Sequence, residues 1–146
     1  MRRSLPHLLL LGLFVGACQA DPAAPGPDPL PADTDFPVSL TTTTAVVPPG
    51  AHLIFQAVNN SATQLGYNLC MHGALEYLQG ITWVGPARNT NPCPAYLVIF
   101  SAGAVNTLQY EVSPTAAAGT YRLRVQFVSM YGNEPIVRRS NTFSVQ

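Results

Sequence analysis

Hydrophobic and polar residues alternate most regularly towards the C-terminal end of the chain, between Gly119 and Val128. A period of two, carried by β-branched and aromatic residues, is typical of a strand with one buried and one solvated face. An amphipathic helix would instead need apolar residues three and four positions apart. The buried set is predicted to be Tyr121, Leu123, Val125 and Phe127, and the solvated set Arg122, Arg124 and Gln126.

Shorter runs of the same kind follow Phe36, with turn signals about every ten residues, a spacing typical of an all-β sandwich. Strands are predicted at 38–44, 52–58, 65–70, 96–100, 107–112, 119–128 and 136–145, with a less regular stretch at 74–84. Inward-facing positions are predicted at Leu53, Phe55, Ala57, Leu65, Tyr67, Leu69, Leu108, Tyr110 and Val112. No helix is predicted after residue 18. The expected fold is an antiparallel β-sandwich of seven or eight strands over residues 36–146.

Four segments carry a resemblance to a known family. They are Leu53–Ser61, Gly66–Cys70, Ala118–Arg124 and Ser140–Val145. In this order they resemble the bacterial immunoglobulin-like domains that follow lipoprotein signals. The resemblance implies an immunoglobulin-like sandwich in which the Tyr121 hydroxyl bonds to backbone at a strand corner. It implies almost nothing about activity, because this fold hosts many functions.

The N-terminal residues have the layout of an export signal. Arg2 and Arg3 precede an apolar run that is about half the length needed to span a bilayer. The run ends in small residues followed directly by Cys18, which resembles the lipobox of bacterial lipoproteins. That resemblance implies cleavage after residue 17 and lipidation of Cys18. By resemblance to the lipoproteins of double-membraned bacteria, Gln19 in the next position implies the outer membrane rather than retention at the inner membrane. A simple signal peptide with an incidental cysteine is the alternative.

Residues 18–35 are predicted to be a tether. Five prolines lie among Ala, Asp and Gly, and a segment of this composition cannot bury enough apolar surface to offset its ordering entropy. At about 3.1 Å per residue, it would hold the domain up to roughly 50 Å from the lipid. The expected location is therefore the bacterial cell envelope, with the membrane contacted through the N-terminal lipid.

Charge and candidate chemistry exclude several classes of function. The chain has no Lys, and residues 36–146 carry five Arg against three Glu, so their formal charge is 5 − 3 = +2. That is too weak and scattered for nucleic-acid binding. The same segment has two His but no Asp, which removes a Ser-His-Asp site. No phosphate-binding loop or nucleophile elbow is present. We expect neither an enzyme nor a cofactor, and Glu111 is expected to be a solvated charge.

Cys70 and Cys93 remain as an even pair once Cys18 is assigned to lipid. In an exported protein such a pair predicts a disulfide, which by closing a loop of this length would stabilise the fold by about 3 kcal/mol. Two alternatives stay open. One is a pair of free thiols, and the other is a metal site in which Met71 and His72 join the two cysteines.

Candidate binding residues lie on one strand face and in two loops. Arg122 and Arg124 share one strand face, and if the last strand, with Arg138 and Arg139, pairs with 119–128, three of these four arginines would form a small basic patch. An ordinary solvated face with arginine stems is the favoured interpretation. Trp83 is expected in the core. The loops are 85–94 and 130–135, and the expected anchors for a partner are Arg88, Met130 and Tyr131.

The sequence thus favours a lipid-anchored, non-catalytic immunoglobulin-like module with an interaction or structural role in the envelope. Its partner would be an envelope protein or a polysaccharide. The alternatives are a loop-mediated binder of a small ligand or polysaccharide, and a proteinase inhibitor, although the loop motifs expected of cysteine-peptidase inhibitors are not visible.

Overall fold

The structure is a computed structural model that describes residues 37–86, 92–132 and 134–146. The predicted signal segment, Cys18 and the tether lie outside this part, as does Arg88. The elements are β1 (Val38–Thr41), β2 (Val46–Val47), β3 (His52–Asn59), β4 (Leu65–Tyr67), α1 (Leu69–His72), β5 (Gly73–Gln79), β6 (Thr82–Val84), β7 (Val98–Phe100), β8 (Val105–Glu111), β9 (Gly119–Ser129), β10 (Ile136–Arg139) and β11 (Phe143–Val145). Among the described residues, no helix is long and apolar enough to cross a membrane.

Two sheets form an immunoglobulin-like β-sandwich, as predicted. The smaller sheet has the order β1-β3-β8, and its pairs are antiparallel. The larger sheet runs β2-β11-β9-β4-β7, with β10 and β5 also pairing with β9 and β6 pairing with β5. The β2–β11 pair is parallel, whereas the other pairs of this sheet are antiparallel. The long strand β9 is therefore the centre of the larger sheet.

The alternation in β9 was predicted correctly. Tyr121, Leu123, Val125 and Phe127 are buried, and the residues between them are partly exposed. The inward positions of β3 are buried, and so are Leu108 in β8 and Val112 directly after it. The core joins the inner faces of both sheets through aromatic contacts; the Phe55 and Phe143 rings, one from each sheet, are 6.1 Å apart at their centroids. The corner at Tyr121 is also present, with its hydroxyl donating to the Ala117 carbonyl oxygen at 2.8 Å.

The predicted strand 65–70 is wrong beyond Tyr67, because the chain turns into the helix α1 at Leu69–His72. The Asn68 side chain accepts hydrogen bonds from the backbone N–H groups of Cys70 and Met71, which is the usual way a side chain starts a helix. Gly66 lies opposite Val128 on β9, and Gly73 lies opposite Val125. Six residues separate the two glycines, whereas only two residues of β9 separate the two valines. The turn accommodates this excess without ending the strand's path along β9.

Three other predicted elements have different limits. The stretch 74–84 is a regular hairpin, β5–β6, rather than irregular chain. The last strand divides into β10 and β11, because the Ser140 hydroxyl accepts from the Leu123 N–H where the ladder is interrupted. The first strand, predicted over 38–44, ends at Thr41, and a separate short strand β2 follows at Val46–Val47. The described residues thus contain eleven strand segments where seven or eight strands were predicted.

Candidate functional site

The outer face of the larger sheet, which points away from the core, holds most of the candidate residues. Along β9 the side chains of Arg122, Arg124, Gln126 and Val128 lie on this face, because they alternate with buried residues. Met130 continues the series. The face has two parts that differ in chemistry, an apolar patch at one end and an arginine cluster at the other.

The apolar patch consists of Leu97, Ile99, Val128 and Met130. Ile99 and Val128 both lie opposite Gly66 in the pairing of β7, β4 and β9. A Cβ atom on Gly66 would lie 3.1 Å from Leu97 Cδ1 and 3.6 Å from Met130 Sδ, so both of these side chains lie over the glycine. Ile99 is 48% exposed and Met130 44%. Since β7 ends the larger sheet, the patch reaches the sheet edge.

Buried asparagines hold the chain that carries the patch. The Asn68 side-chain amide donates to the carbonyl oxygens of Pro94 and Tyr96, at 2.6 and 2.8 Å. The Asn59 amide donates to the Phe100 and Ser101 carbonyl oxygens, both at 3.0 Å. The segment before β7 and the residues after it are therefore fixed to the body of the sandwich. A surface held in this way loses little conformational entropy when a partner binds.

The predicted disulfide between Cys70 and Cys93 is present and joins α1 to the same segment, with Cα atoms 5.6 Å apart. Because both sulfur atoms are used in this bond, neither is a thiolate ligand, and the free-thiol and metal alternatives do not hold. Within the described ranges, no three or more His, Cys, Asp or Glu side chains are grouped to hold a metal ion. The role of the pair is to fix the loop against the sheet.

The predicted anchors Met130 and Tyr131 lie at the exposed end of β9. Tyr131 is 84% exposed, and its backbone N–H donates to the Ser129 hydroxyl. Met130 belongs to the apolar patch, so the loop and the strand face form one surface. Arg88 and the neighbouring residues 87–91 lie outside the described part of the chain.

The arginine cluster consists of Glu76, Arg122, Arg124 and Arg139. Glu76 Oε2 accepts from Arg122 Nε at 2.7 Å and from Arg139 Nε at 3.1 Å. Arg124 Nε lies 3.9 Å from Glu76 Oε1, beyond hydrogen-bonding distance. The Glu76 side chain is only 10% exposed, whereas those of Arg124 and Arg139 are 34% and 41% exposed. With one carboxylate and three guanidiniums, the cluster has a formal charge of 3 − 1 = +2.

The predicted patch of three arginines is therefore present as Arg122, Arg124 and Arg139, and they surround a carboxylate that the sequence did not connect with them. Arg138 points the other way, donating from Nε to the Val38 carbonyl oxygen at 3.1 Å. Glu76 and Arg122 are 46 positions apart and meet because β5 pairs with β9. The sequence carries no signal for that pairing.

Trp83 is part of this surface, so its prediction as a core residue is wrong. It pairs with Leu78 across the β5–β6 hairpin, on the same side as Glu76. The Arg122 guanidinium carbon lies 3.9 Å from the centre of a Trp83 ring, a cation–π contact. Arg122 is thus held by an aromatic ring and a carboxylate, while Arg124 and Arg139 keep part of their surface in solvent. Glu111, by contrast, is exposed on β8 as predicted.

A separate open cleft of about 370 Å³ lies between the two sheets, where β5 and β8 approach each other. Tyr77, Tyr110, Tyr121 and Pro86 are among the residues that line it. The Tyr110 hydroxyl donates to the Gly73 carbonyl oxygen at 3.4 Å, and burial raises the pKa of Tyr110. The lining offers apolar surface, hydroxyl groups and the side chain of Glu111.

Comparisons with known proteins add little to these observations. No protein-family profile matches the chain. No curated protein matches it either. One solved structure with a similar shape is the ASH / PapD-like domain of human CEP192 (PapD-like domain 7), at 16% identity and a TM-score of 0.43. The match covers 97% of this chain and 96% of that one. A likeness at this level says nothing about what this chain binds.

Proposed function

We propose that this protein is a lipid-anchored interaction module of the bacterial cell envelope, which binds a partner protein through the outer face of its larger sheet. The anchor is lipidated Cys18, preceded by the signal segment 1–17 and followed by the tether 18–35. The domain contributes contact surface rather than chemistry. Acylation of Cys18 would keep that surface close to a membrane, where a partner in the same membrane meets it repeatedly.

The observation that carries this proposal is the exposed apolar patch on a rigid frame. Single apolar residues on a protein surface are ordinary, but adjacent ones indicate a binding surface. Here Leu97, Ile99, Val128 and Met130 are adjacent, and Tyr131 extends them towards solvent. Aromatic and methionine side chains are enriched in protein interfaces. The asparagine bonds and the disulfide keep the patch in place before binding.

A photo-crosslinking amino acid placed at single positions in the full chain tests the proposal in bacterial cells. At Ile99 we expect a discrete crosslinked protein, because the partner covers the patch. Gln109 on β8 is the matched control, since it is exposed on the outer side of the smaller sheet and belongs to no patch. With the crosslinking amino acid at Met130 instead, the same partner should be crosslinked. Adding Ile99→Asp to that chain should abolish the crosslink, whereas adding Gln109→Asp should not. Neither aspartate should change stability by more than about 0.5 kcal/mol.

Two results would contradict the proposal. One is a crosslink that forms equally from Ile99 and Gln109, which would indicate collision rather than binding. The other is the absence of any crosslink from Ile99 in cells where the labelled protein is folded and processed.

A further inference from the structure

The arginine cluster shows what kind of partner the outer face fits. We infer that Arg124 and Arg139 bind carboxylate groups in an acidic segment of the partner polypeptide, and that Glu76 positions them to do so. This inference rests on the proposed function, because it assumes that the outer face is the binding surface. It adds the chemistry of the partner.

The three arginines are not equivalent. Arg122 is enclosed, with its side chain 11% exposed, its Nε on Glu76 and its guanidinium against Trp83. The Arg139 side chain donates to Glu76 from Nε, and the Arg124 side chain makes no hydrogen bond within the described residues, so both retain N–H donors that face solvent. A guanidinium has five N–H donors and binds a carboxylate with two of them in parallel. Arg124 and Arg139 therefore have donors for a further anion.

Glu76 explains why these donors are held in place. A flexible arginine on a surface loses side-chain entropy when it is fixed by a ligand. The buried carboxylate binds Arg139 and lies beside Arg124, so part of that loss has already occurred on folding. At the same time it neutralises only one of three positive charges. The remaining charge of +2 is concentrated on one half-exposed surface, and an anionic group complements it.

The position of the cluster favours a polypeptide over a lone anion. Arg124 and Arg139 are directly opposite in the β9–β10 pairing, so their Cα atoms are about 5 Å apart. Val128, in the apolar patch, follows Arg124 by four residues along β9, which corresponds to roughly 13 Å. An extended segment of about five residues would reach both. The partner is therefore expected to present carboxylates next to apolar side chains.

A synthetic peptide with four consecutive glutamates beside two leucines, carrying a neutral fluorophore, is a suitable probe. Its affinity for the full chain in nonionic detergent would be measured by fluorescence anisotropy at several salt concentrations. We expect binding that weakens as salt rises, because half-exposed charges are screened. The same peptide with glutamine in place of glutamate should bind at least tenfold more weakly. Arg124→Gln and Arg139→Gln should each weaken binding about tenfold at low salt.

Arg138→Gln is the matched control, since it removes the same charge from a side chain directed at β1 rather than at the cluster. It should leave the affinity for the peptide within about twofold of the wild-type value.

The Glu76→Gln variant distinguishes the positioning role of Glu76 from its effect on net charge. The variant raises the charge of the cluster from +2 to +3, so attraction alone predicts tighter binding, whereas loss of positioning predicts weaker binding. We expect weaker binding, measured below the melting temperature of the variant. If Glu76→Gln does not fold, the two arginine variants and Arg138→Gln decide the matter.

Equal binding of the glutamate and glutamine peptides would overturn the inference, as would an equal loss from Arg138→Gln and Arg124→Gln. Tighter binding by folded Glu76→Gln would overturn the positioning role. Arginine-dependent binding to vesicles containing phosphatidylglycerol, with no binding of the peptide, would assign the cluster to a lipid surface instead. None of these outcomes depends on the crosslink from Ile99, so the inference and the proposed function fail separately.

Discussion

At the scale of single residues, Glu76 determines how the outer face is charged. Removing a carboxylate from water is unfavourable unless cations and hydrogen bonds compensate for the lost hydration. Here Arg122 and Arg139 supply the hydrogen bonds, and Arg124 adds positive charge nearby. The same residue thus satisfies a requirement of folding and arranges the groups that we assign to binding.

Tyr121 gives a test at this scale. Its ring packs against those of Tyr77 and Phe143, with centroids 5.1 and 6.1 Å away, and its hydroxyl donates to the Ala117 carbonyl oxygen. Tyr121→Phe keeps the ring and removes the bond. We expect the free energy of unfolding in urea to fall by about 1 kcal/mol. Tyr131→Phe, at an exposed site, should leave it unchanged. A Tyr121→Phe protein as stable as the wild type would show that the corner bond does not stabilise the fold.

At the scale of elements, the turn α1 and its disulfide decide the shape of the region beside β7. Asn68 starts the helix with its side-chain oxygen and holds Pro94 and Tyr96 with its side-chain nitrogen. Cys70, two residues later, makes the covalent link to Cys93. One short helical turn therefore connects the middle of the larger sheet to the segment that leads into its edge strand.

Replacing both Cys70 and Cys93 by serine tests the contribution of that link. The cysteines are 23 positions apart, and closing a loop of this size is expected to stabilise the folded state by about 3 kcal/mol. The variant should still fold, because the two sheets pack around a continuous apolar core. Urea denaturation followed by circular dichroism measures the difference. Complete loss of the folded state, or no change in stability, would contradict this account.

The elements that the sequence predicted well are those with long, unambiguous alternation. β9 alternates over its whole length between a buried face and a solvated one, so the assignment of each side chain follows from the backbone period. The prediction of one strand over 65–70 was wrong beyond Tyr67, because Leu65, Tyr67 and Leu69 continue the period of two into a helical turn. Three apolar residues are too few to distinguish the two structures when a capping Asn68 lies between them.

The candidate site was less predictable than the fold. The exposure of Met130 and Tyr131 followed from their place at a hairpin tip, and Arg122 and Arg124 shared a face by alternation. Trp83 was misplaced because large aromatic residues are usually buried, whereas its position opposite Leu78 directs it outward. Glu76 was missed because its partners are distant in sequence and meet only through the pairing of β5 with β9.

At the scale of the whole molecule, the proposed role requires that the domain stay attached to a membrane. Cys18→Ser removes the thiol that would receive the lipid. We expect the variant to leave the membrane fraction or to accumulate as an uncleaved precursor, as judged by fractionation and intact mass. Cys70→Ser, which replaces a cysteine outside the signal, should remain in the membrane fraction. A processed Cys18→Ser protein that sediments with membranes like the wild type would contradict lipid anchoring.

The first two strands belong to different sheets, and this has a mechanical consequence. The Pro37 carbonyl oxygen accepts a hydrogen bond from the Asn60 N–H, and the Val38 carbonyl oxygen accepts one from Arg138 Nε. Further along the chain, β2 runs parallel to β11. A force at Pro37 directed across β1 would peel β1 from β3, and a force then acting along β2 would shear it against β11. Shear strains several hydrogen bonds at once, whereas peeling breaks them one by one. The domain would therefore yield at its entry strand under a modest load while the sheet that carries the arginine cluster and the apolar patch keeps its shape.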